Sequence, residues 1–419
     1  MSDIAERLSE LGRAGLRREL RTVSGSQGRT VILDGREVLL LCSNNYLGLA
    51  NHPELARASG AAARRWGTGA GASRLISGTM TSHEQLERRL ADFHGYERAL
   101  LFGSGYLANI GAISALAGRG RRVFSDELNH ASIIDGCRLA RAETVVFRHR
   151  DTEHLAWLMR DSRGPGDLIV TDGVFSMDGD LAPLDSLARL AQDHGTRLLV
   201  DEAHATGTIG PNGRGTVGAA GLESEVDAIV GTLGKALGSY GAYVCCRGEI
   251  AELLINVSRP FVFSTALPPP TVAAASAALE IVQSDPGLTE RLRDNARHLR
   301  DALRAEGLEA GAERTHIIPL ITREPEVALA LCARALEHGV FAQAIRPPTV
   351  PAGSSRLRLT VMASHRRGEL KRAAGVLGAA AAELGLGRGR GREAELAETR
   401  EPEASAPVPG SIGGLREAA

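Results

Sequence analysis

Lysine is rare in this chain: Lys235 and Lys371 are the only two among 49 lysines and arginines. A sequence this biased toward arginine keeps lysine mainly where a guanidinium cannot serve, because only an amine condenses with a carbonyl to form a Schiff base. Lys235 lies in AIVGTLGKALGSYGAY, behind an apolar run and among Gly231, Gly234, Gly238 and Gly241, so the backbone there can come close to a bulky ligand. A dry, glycine-lined setting favours the neutral, nucleophilic amine; the plainer reading is a surface lysine in a loop. Asp201, in RLLVDEAHATG, ends another apolar run 34 residues upstream. A buried carboxylate is costly unless it meets a cation. The pyridinium nitrogen of pyridoxal phosphate is such a cation, and holding it protonated keeps the ring an electron sink. The alternative is an Asp that caps the following helix. His204, three residues on, is placed to donate to such a ring's oxygen, although a histidine taken alone is more often structural.

Phosphate needs backbone N–H groups at a helix start, and LLFGSGYLANIGAISAL supplies a strand, a Gly103-Ser104-Gly105 turn and a helix. The dinucleotide fingerprint is incomplete, because Ala108 stands where its third glycine belongs, and no Walker A motif occurs. A phosphate monoester is therefore the better ligand. His130, in SDELNHASIIDG, offers a flat imidazole to an aromatic ring or simply opens a helix. Ser176, in VTDGVFSMDGD, lacks the GxSxG elbow, which excludes the hydrolase reading. Cys42, Cys137, Cys245, Cys246 and Cys332 form no CxxC pair for zinc or redox chemistry and read as core thiols; no metal site is expected.

These residues need a scaffold. Between residues 82 and 245 the runs ALLF, RRVFSD, ETVVFRH, DLIVTDG, RLLVDEAH, AIVGT and GAYVCC alternate with helix-length segments. That pattern predicts an α/β sheet of parallel or mixed strands with crossover helices, buried on both faces. Ligands of such sheets sit beyond the carboxyl ends of the strands, where Asp201 and Lys235 fall. Upstream, residues 3–20 read as an amphipathic helix on Ile4, Leu8, Leu11, Leu16 and Leu20, and VILDGREVLLLCS reads as a hairpin turning at Asp34-Gly35. Downstream, a helix follows Pro268-Pro269-Pro270, GLTERLRDNARHLRDALRAEG is a second, and RLRLTVMASHRRGELKRAAGVLGAAAAEL is a strand then a helix. The expected units are a cap over residues 1–42, a large α/β domain over 43–274, a smaller α+β domain over 275–385, and a disordered Gly/Pro/Glu/Ala-rich tail over 386–419.

Composition agrees with an enzyme. The 419 residues allow a full core, and 49 glycines, about 12% against a usual 7% or so, point to many tight turns. A formal charge of -1 without a dense basic run gives no footprint for nucleic acid, and no apolar stretch is long enough for a membrane span. The first residues, MSDIAERLSELGRAGLRREL, resemble neither a signal nor a transit peptide, so the cytoplasm is the expected location.

DEAH followed by GTLGKALG, with SNNYLGL, NHASIIDG and VFSMDGD upstream, resembles the α-oxoamine synthases, from about residue 5 to 385. The resemblance implies fold-type I pyridoxal phosphate enzymes: a large, mostly parallel seven-stranded sheet domain, a smaller C-terminal domain, a homodimer, and condensation of an amino acid with an acyl thioester as carbon dioxide leaves. FVFSTALPP (261–269) and AIRPPTVPAG (344–353) are most similar to the biotin-pathway branch, which uses L-alanine and a pimeloyl thioester of coenzyme A or acyl carrier protein. The aminoketobutyrate ligase, aminolevulinate synthase and serine palmitoyltransferase branches share most motifs. Matching motif to motif implies that Lys235 holds the cofactor and moves the α-proton, Asp201 meets the ring nitrogen, His204 the phenolic oxygen, and His130 the ring face. Gly105, Tyr106, Ser176 and Thr232 are implied to hold the cofactor, phosphate included, with Thr265 reaching it from a neighbouring subunit. Arg346 is implied for the amino-acid carboxylate, and Arg18, Asn44, His130 and Thr349 for the substrate. An aminotransferase or lyase using the same lysine, or a homologue without turnover, are the rival readings.

Overall fold

The seven apolar runs of the middle region all become strands of one sheet. A computed structural model describes residues 3–13, 16–162, 164–311 and 315–386. The strands are β4 (Arg98–Phe102), β5 (Arg122–Asp126), β6 (Glu143–Phe147), β7 (Leu168–Asp172), β8 (Arg197–Asp201), β9 (Ala228–Thr232) and β10 (Ala242–Cys246), preceded by β1 (Val23–Ser24), β2 (Thr30–Leu33) and β3 (Arg36–Leu40). Their order is β4-β10-β9-β8-β7-β5-β6. Strands β9, β8, β7, β5 and β6 run parallel, and β10 is antiparallel to both of its neighbours. Successive residues face opposite sides: Ile169, Leu198 and Val200 enter one buried cluster, and Leu168, Val170 and Leu199 enter the other. Helices cover both sides, so the strands read as unbroken apolar runs rather than alternating ones.

The hairpin forms as expected. Asp34 and Gly35 both take positive φ, 50° and 82°, as the two-residue turn between right-twisted strands requires. β3 also pairs in parallel with β12 (Val340–Phe341), some 300 residues on, in a sheet ordered β1-β2-β3-β12. A second small sheet, β11-β14-β13, joins β11 (Ile317–Arg323), β14 (Ser355–Thr360) and β13 (Gln343–Ile345). Helices Pro269–Ser284, Gly287–Ala305, Pro325–Glu337 and Arg367–Glu383 complete the C-terminal part; the first starts on its prolines, which cost nothing where the N–H has no helical partner.

The N-terminal helix is shorter than its apolar pattern predicts. α1 (Asp3–Arg13) stops before Leu16 and Leu20, and Leu20 lies fully exposed. The N–H groups of Leu16 and Arg17 both close onto the Leu11 carbonyl, a geometry that ends an α-helix. No residue of α1 is buried, so no packing favours its extension. Four of the five cysteines are buried and all are free, while Cys42 is half-buried. Beyond Leu386, the stretch expected as a disordered tail lies outside the described residues. No helix among the described residues is long and apolar enough to cross a membrane.

Candidate active site

Three strand ends and two loops converge on Lys235. It sits in the turn after β9, and its Nζ lies 2.8 Å from His204 Nε2, in the turn after β8. Burial pushes the amine down to about 8, against the pull of Asp201 and Asp172, with Arg358 adding to the depression. Burial also holds His204 well below the usual imidazole range, and Lys235, Arg358, His316 and His130 reinforce it, so the ring is neutral. His204 Nδ1 lies 2.6 Å from the Tyr46 hydroxyl. Tyr46 comes from SNNYLGL after β3 and is fully buried, its ring tilted against His316 at 4.0 Å.

Asp201 ends β8 and is 4% exposed. Its Oδ1 accepts the Ala203 N–H at 2.8 Å and its Oδ2 accepts from Asn109 Nδ2 at 2.6 Å. His130 caps α5 (Ala131–Ala140), numbered after α2 (Pro53–Trp66), α3 (Thr81–His94) and α4 (Gly105–Leu116). Its backbone N–H donates to Asp172 Oδ2 at 2.7 Å, which fixes where the imidazole starts. The residue keeps an open face, yet enough protein surrounds the ring that desolvation lowers its pKa; Asp201 opposes the shift and Lys235 adds to it. Asp172, the last residue of β7, is held well above the ordinary carboxylate range by burial and then by Asp201.

At the start of α4, Ser104 Oγ accepts the Leu107 N–H at 3.2 Å. Among the described residues nothing accepts from the N–H groups of Gly105 and Tyr106, and a Cβ built on Gly105 would meet no atom within 4 Å. Tyr106 itself is exposed, its hydroxyl donating to Asp135. Thr232, half-buried at the end of β9, donates to the Gly241 carbonyl at 3.1 Å and accepts the Gly234 N–H at 3.2 Å. Ser176 offers its carbonyl to Arg358 Nε.

No hydrogen bond among the described residues joins Thr265, Arg18 or Thr349 to this cluster. Thr265 is exposed and bridges Ser73 beside the π-helical turn Arg74–Gly78. Arg18 is exposed and has no hydrogen bond to the cluster among the described residues. Arg346 and Thr349 lie between β13 and β14, with the Thr349 N–H donating to the Arg346 carbonyl at 3.1 Å. Asn44 does reach the cluster: its Oδ1 accepts from Tyr46 at 2.9 Å and from Arg358 Nη1 at 3.4 Å.

Arg358 joins the cluster although no motif singles it out. It is 7% exposed, and its Nη2 donates to the Tyr46 hydroxyl at 3.3 Å. Arg356, two residues earlier in β14, is also buried, and it donates to Asp178 and to the Met177 carbonyl. Two arginines spaced by two in the apolar run RLRLTV share one strand face, and that alternation was the available signal. Tyr46, Asn109 and Asp172 lie inside SNNYLGL, LLFGSGYLANIGAISAL and VTDGVFSMDGD, whose spacing gives these three residues no separate mark.

The cup fits pyridoxal phosphate on its own chemistry. A half-buried amine whose pKa is pushed down to about 8 meets a carbonyl, a buried carboxylate meets a ring cation, and unpartnered N–H groups at a helix start meet a phosphate. The family model for class I and II aminotransferases matches residues 36–377. A relative from Geobacter sulfurreducens, named 8-amino-7-oxononanoate synthase, is 54% identical over 385 residues, 91% of this chain and 98% of its own. A serine palmitoyltransferase from S. paucimobilis, solved with a bound pyridoxal phosphate–myriocin aldimine, matches with a TM-score of 0.87 and 34% identity over 91% of this chain and 98% of that one. The 8-amino-7-oxononanoate synthase of Francisella tularensis matches with a TM-score of 0.72 and 28% identity over 83% and 98%. Fold and site together define a fold-type I pyridoxal phosphate transferase. The chain belongs to the class I and II aminotransferase family, and within it to the α-oxoamine synthases.

Proposed function

We propose that this chain condenses L-alanine with a pimeloyl thioester, releasing carbon dioxide and the free thiol, as a step of biotin synthesis. The observation that carries the chemistry is Lys235, one of two lysines in the chain, half-buried with its amine 2.8 Å from His204 and its pKa pushed down to about 8. The 54% identity to a relative named 8-amino-7-oxononanoate synthase supports the substrate pair.

In this reading Lys235 would hold the cofactor through its carbonyl group, Asp201 would meet its ring nitrogen and His204 its phenolic oxygen, and His130 would flank the ring. Gly105, Tyr106, Ser176 and Thr232, with Thr265 of the partner subunit, secure the remainder, phosphate included. When bound, pyridoxal phosphate supplies an electron sink for the pair left at the amino acid's α-carbon. Lys235, as a free amine, removes the proton from that carbon and later returns one. Near pH 8 about half of such amines are neutral, which suits a group that must both take and give a proton. Arg358 offers a planar fork to the amino-acid carboxylate beside Asn44, from a position already anchored by Tyr46 and Ser176. We therefore favour Arg358 over Arg346 for that carboxylate, and leave Arg18 and Thr349 to the acyl thioester.

The reading also places a homodimer in the cytoplasm, accepting the acyl chain from coenzyme A or from an acyl carrier protein. Leu75, Ile76 and Phe263, all exposed apolar side chains beside the Ser73–Thr265 bridge, support a subunit contact there. Residues 43–274 would form the cofactor domain and 275–385 the smaller one, to which the 1–42 cap is tied through β3 and β12.

The test is thiol release from acetyl, pimeloyl and palmitoyl thioesters, each with glycine, alanine and serine. Alanine with the pimeloyl thioester should turn over at least tenfold faster than any other pair. A different winning pair would refute the substrate assignment while keeping the chemistry, and no release from any pair would refute both.

A further inference from the structure

We propose that Asn109 is a positioning residue that sets two cofactor contacts at once, the orientation of the Asp201 carboxylate and the tautomer of His130. The inference rests on the cofactor reading above for its purpose, and its geometry is that of this chain's own residues. Asn109 lies in α4 and is 1% exposed. Its Nδ2 donates one hydrogen to Asp201 Oδ2 at 2.6 Å and the other to Ser132 Oγ at 2.8 Å. An amide nitrogen has two hydrogens, so both are committed. The Oδ1 is buried without a partner. A native core rarely leaves an amide oxygen so, and the side chain is therefore held by what its nitrogen does. Turning the amide over would set two acceptors, Oδ1 and the carboxylate oxygen, against each other, which fixes the orientation.

The direction of the hydrogen bonds then propagates. Ser132 Oγ accepts from Asn109, and its own hydrogen is free for His130 Nδ1 at 2.7 Å. The Ser132 N–H also donates to that nitrogen, at 3.2 Å. His130 Nδ1 is thus an acceptor, and a neutral imidazole must carry its hydrogen on Nε2. On the other arm, Asp201 Oδ1 is taken by the Ala203 N–H, so Asn109 is the second pin that stops the carboxylate from rotating. A single side chain in α4 thereby ties the end of β8 to the start of α5, the two elements that present the ring-nitrogen partner and the ring-face partner.

The experiment combines two readouts on the full chain. Nitrogen-15 histidine spectra of the cofactor-free protein, with His130 assigned by comparison with His130→Gln, report its tautomer. Fluorescence titration with pyridoxal phosphate reports the dissociation constant. Asn109→Leu, matched in branching and without donors, should raise that constant at least tenfold and move the His130 signals from the Nε2–H form toward a mixture. Ser132→Ala removes the shorter of the two hydrogen bonds that keep His130 Nδ1 an acceptor and leaves the backbone N–H at 3.2 Å, so the His130 signals should move part of the way toward a mixture while the dissociation constant rises less than in Asn109→Leu. Should Asn109→Leu fail to fold, the tautomer in Ser132→Ala decides alone. A folded Asn109→Leu with wild-type cofactor affinity, or an unchanged His130 tautomer in Ser132→Ala, would overturn the proposal. A wild-type chain that binds no pyridoxal phosphate would instead overturn the function assigned above, because the tautomer is read without the cofactor.

Discussion

Arg358 reaches the site from the far end of the chain, and its value depends on what already holds it. Its guanidinium shares Ser176, Tyr46 and Asn44, so it waits in place rather than being drawn from solvent. Replacing it with Gln should raise the KM for the amino acid by roughly 10- to 100-fold, the loss of a charge-assisted pair, and should leave the KM for the thioester within about threefold. Steady-state kinetics with each substrate varied in turn would show this, and equal changes in both constants would refute the role. Lys235, Asp201 and His204 could be picked out as candidates from rarity and spacing without any knowledge of the fold, and the structure brings them together. Arg358 could not be singled out, since 47 arginines give no rarity, and the one proposed here lies on a strand face that meets a loop 314 residues away.

At the scale of elements, the site hangs on loops that leave the strand ends, and His149 joins two of them. Its Nδ1 lies 2.9 Å from Asp126, at the end of β5, and its Nε2 lies 2.7 Å from Asp180, in the loop that carries Ser176. Burial works against the charged ring, but the hydrogen bonds to Asp126 and Asp180 and their charges win, pushing its pKa up to about 9. In the unfolded chain an imidazole titrates near 6.5. The clamp's stabilisation is therefore complete below about pH 6.5 and lost as pH rises through about 9. His149→Gln removes the cation from between two carboxylates and should destabilise the chain by roughly 2–4 kcal/mol at pH 6. The gap to wild type should close above pH 9.5. Thermal melts across pH 6–10 check this, and a gap independent of pH would rule the clamp out. Neither this bridge nor the early end of α1 can be read from local pattern. His149 lies 23 and 31 residues from its partners, and α1 has a helical apolar stripe but no face to bury it against.

For the whole molecule, the order of strands along the chain told little about their order in space. The seven runs were visible as runs, whereas the insertion of β10 between β4 and β9, and the parallel pairing of β3 with β12, depend on contacts that local spacing does not encode. The same holds for surfaces. Ile76 is 80% exposed and Phe263 71% exposed, unusual for such side chains in a chain acting alone. If they meet a second copy, Ile76→Asp with Phe263→Asp should halve the mass seen by light scattering and weaken pyridoxal phosphate binding through loss of Thr265 of the partner subunit. A wild-type chain already monomeric at micromolar concentration would refute the dimer. Because the chain holds only two lysines, one experiment reaches the centre of the account. Purified protein incubated with pyridoxal phosphate, reduced with borohydride, digested and examined by mass spectrometry should carry a single pyridoxyl group on the peptide containing Lys235. Label on Lys371, or on neither lysine, would contradict it.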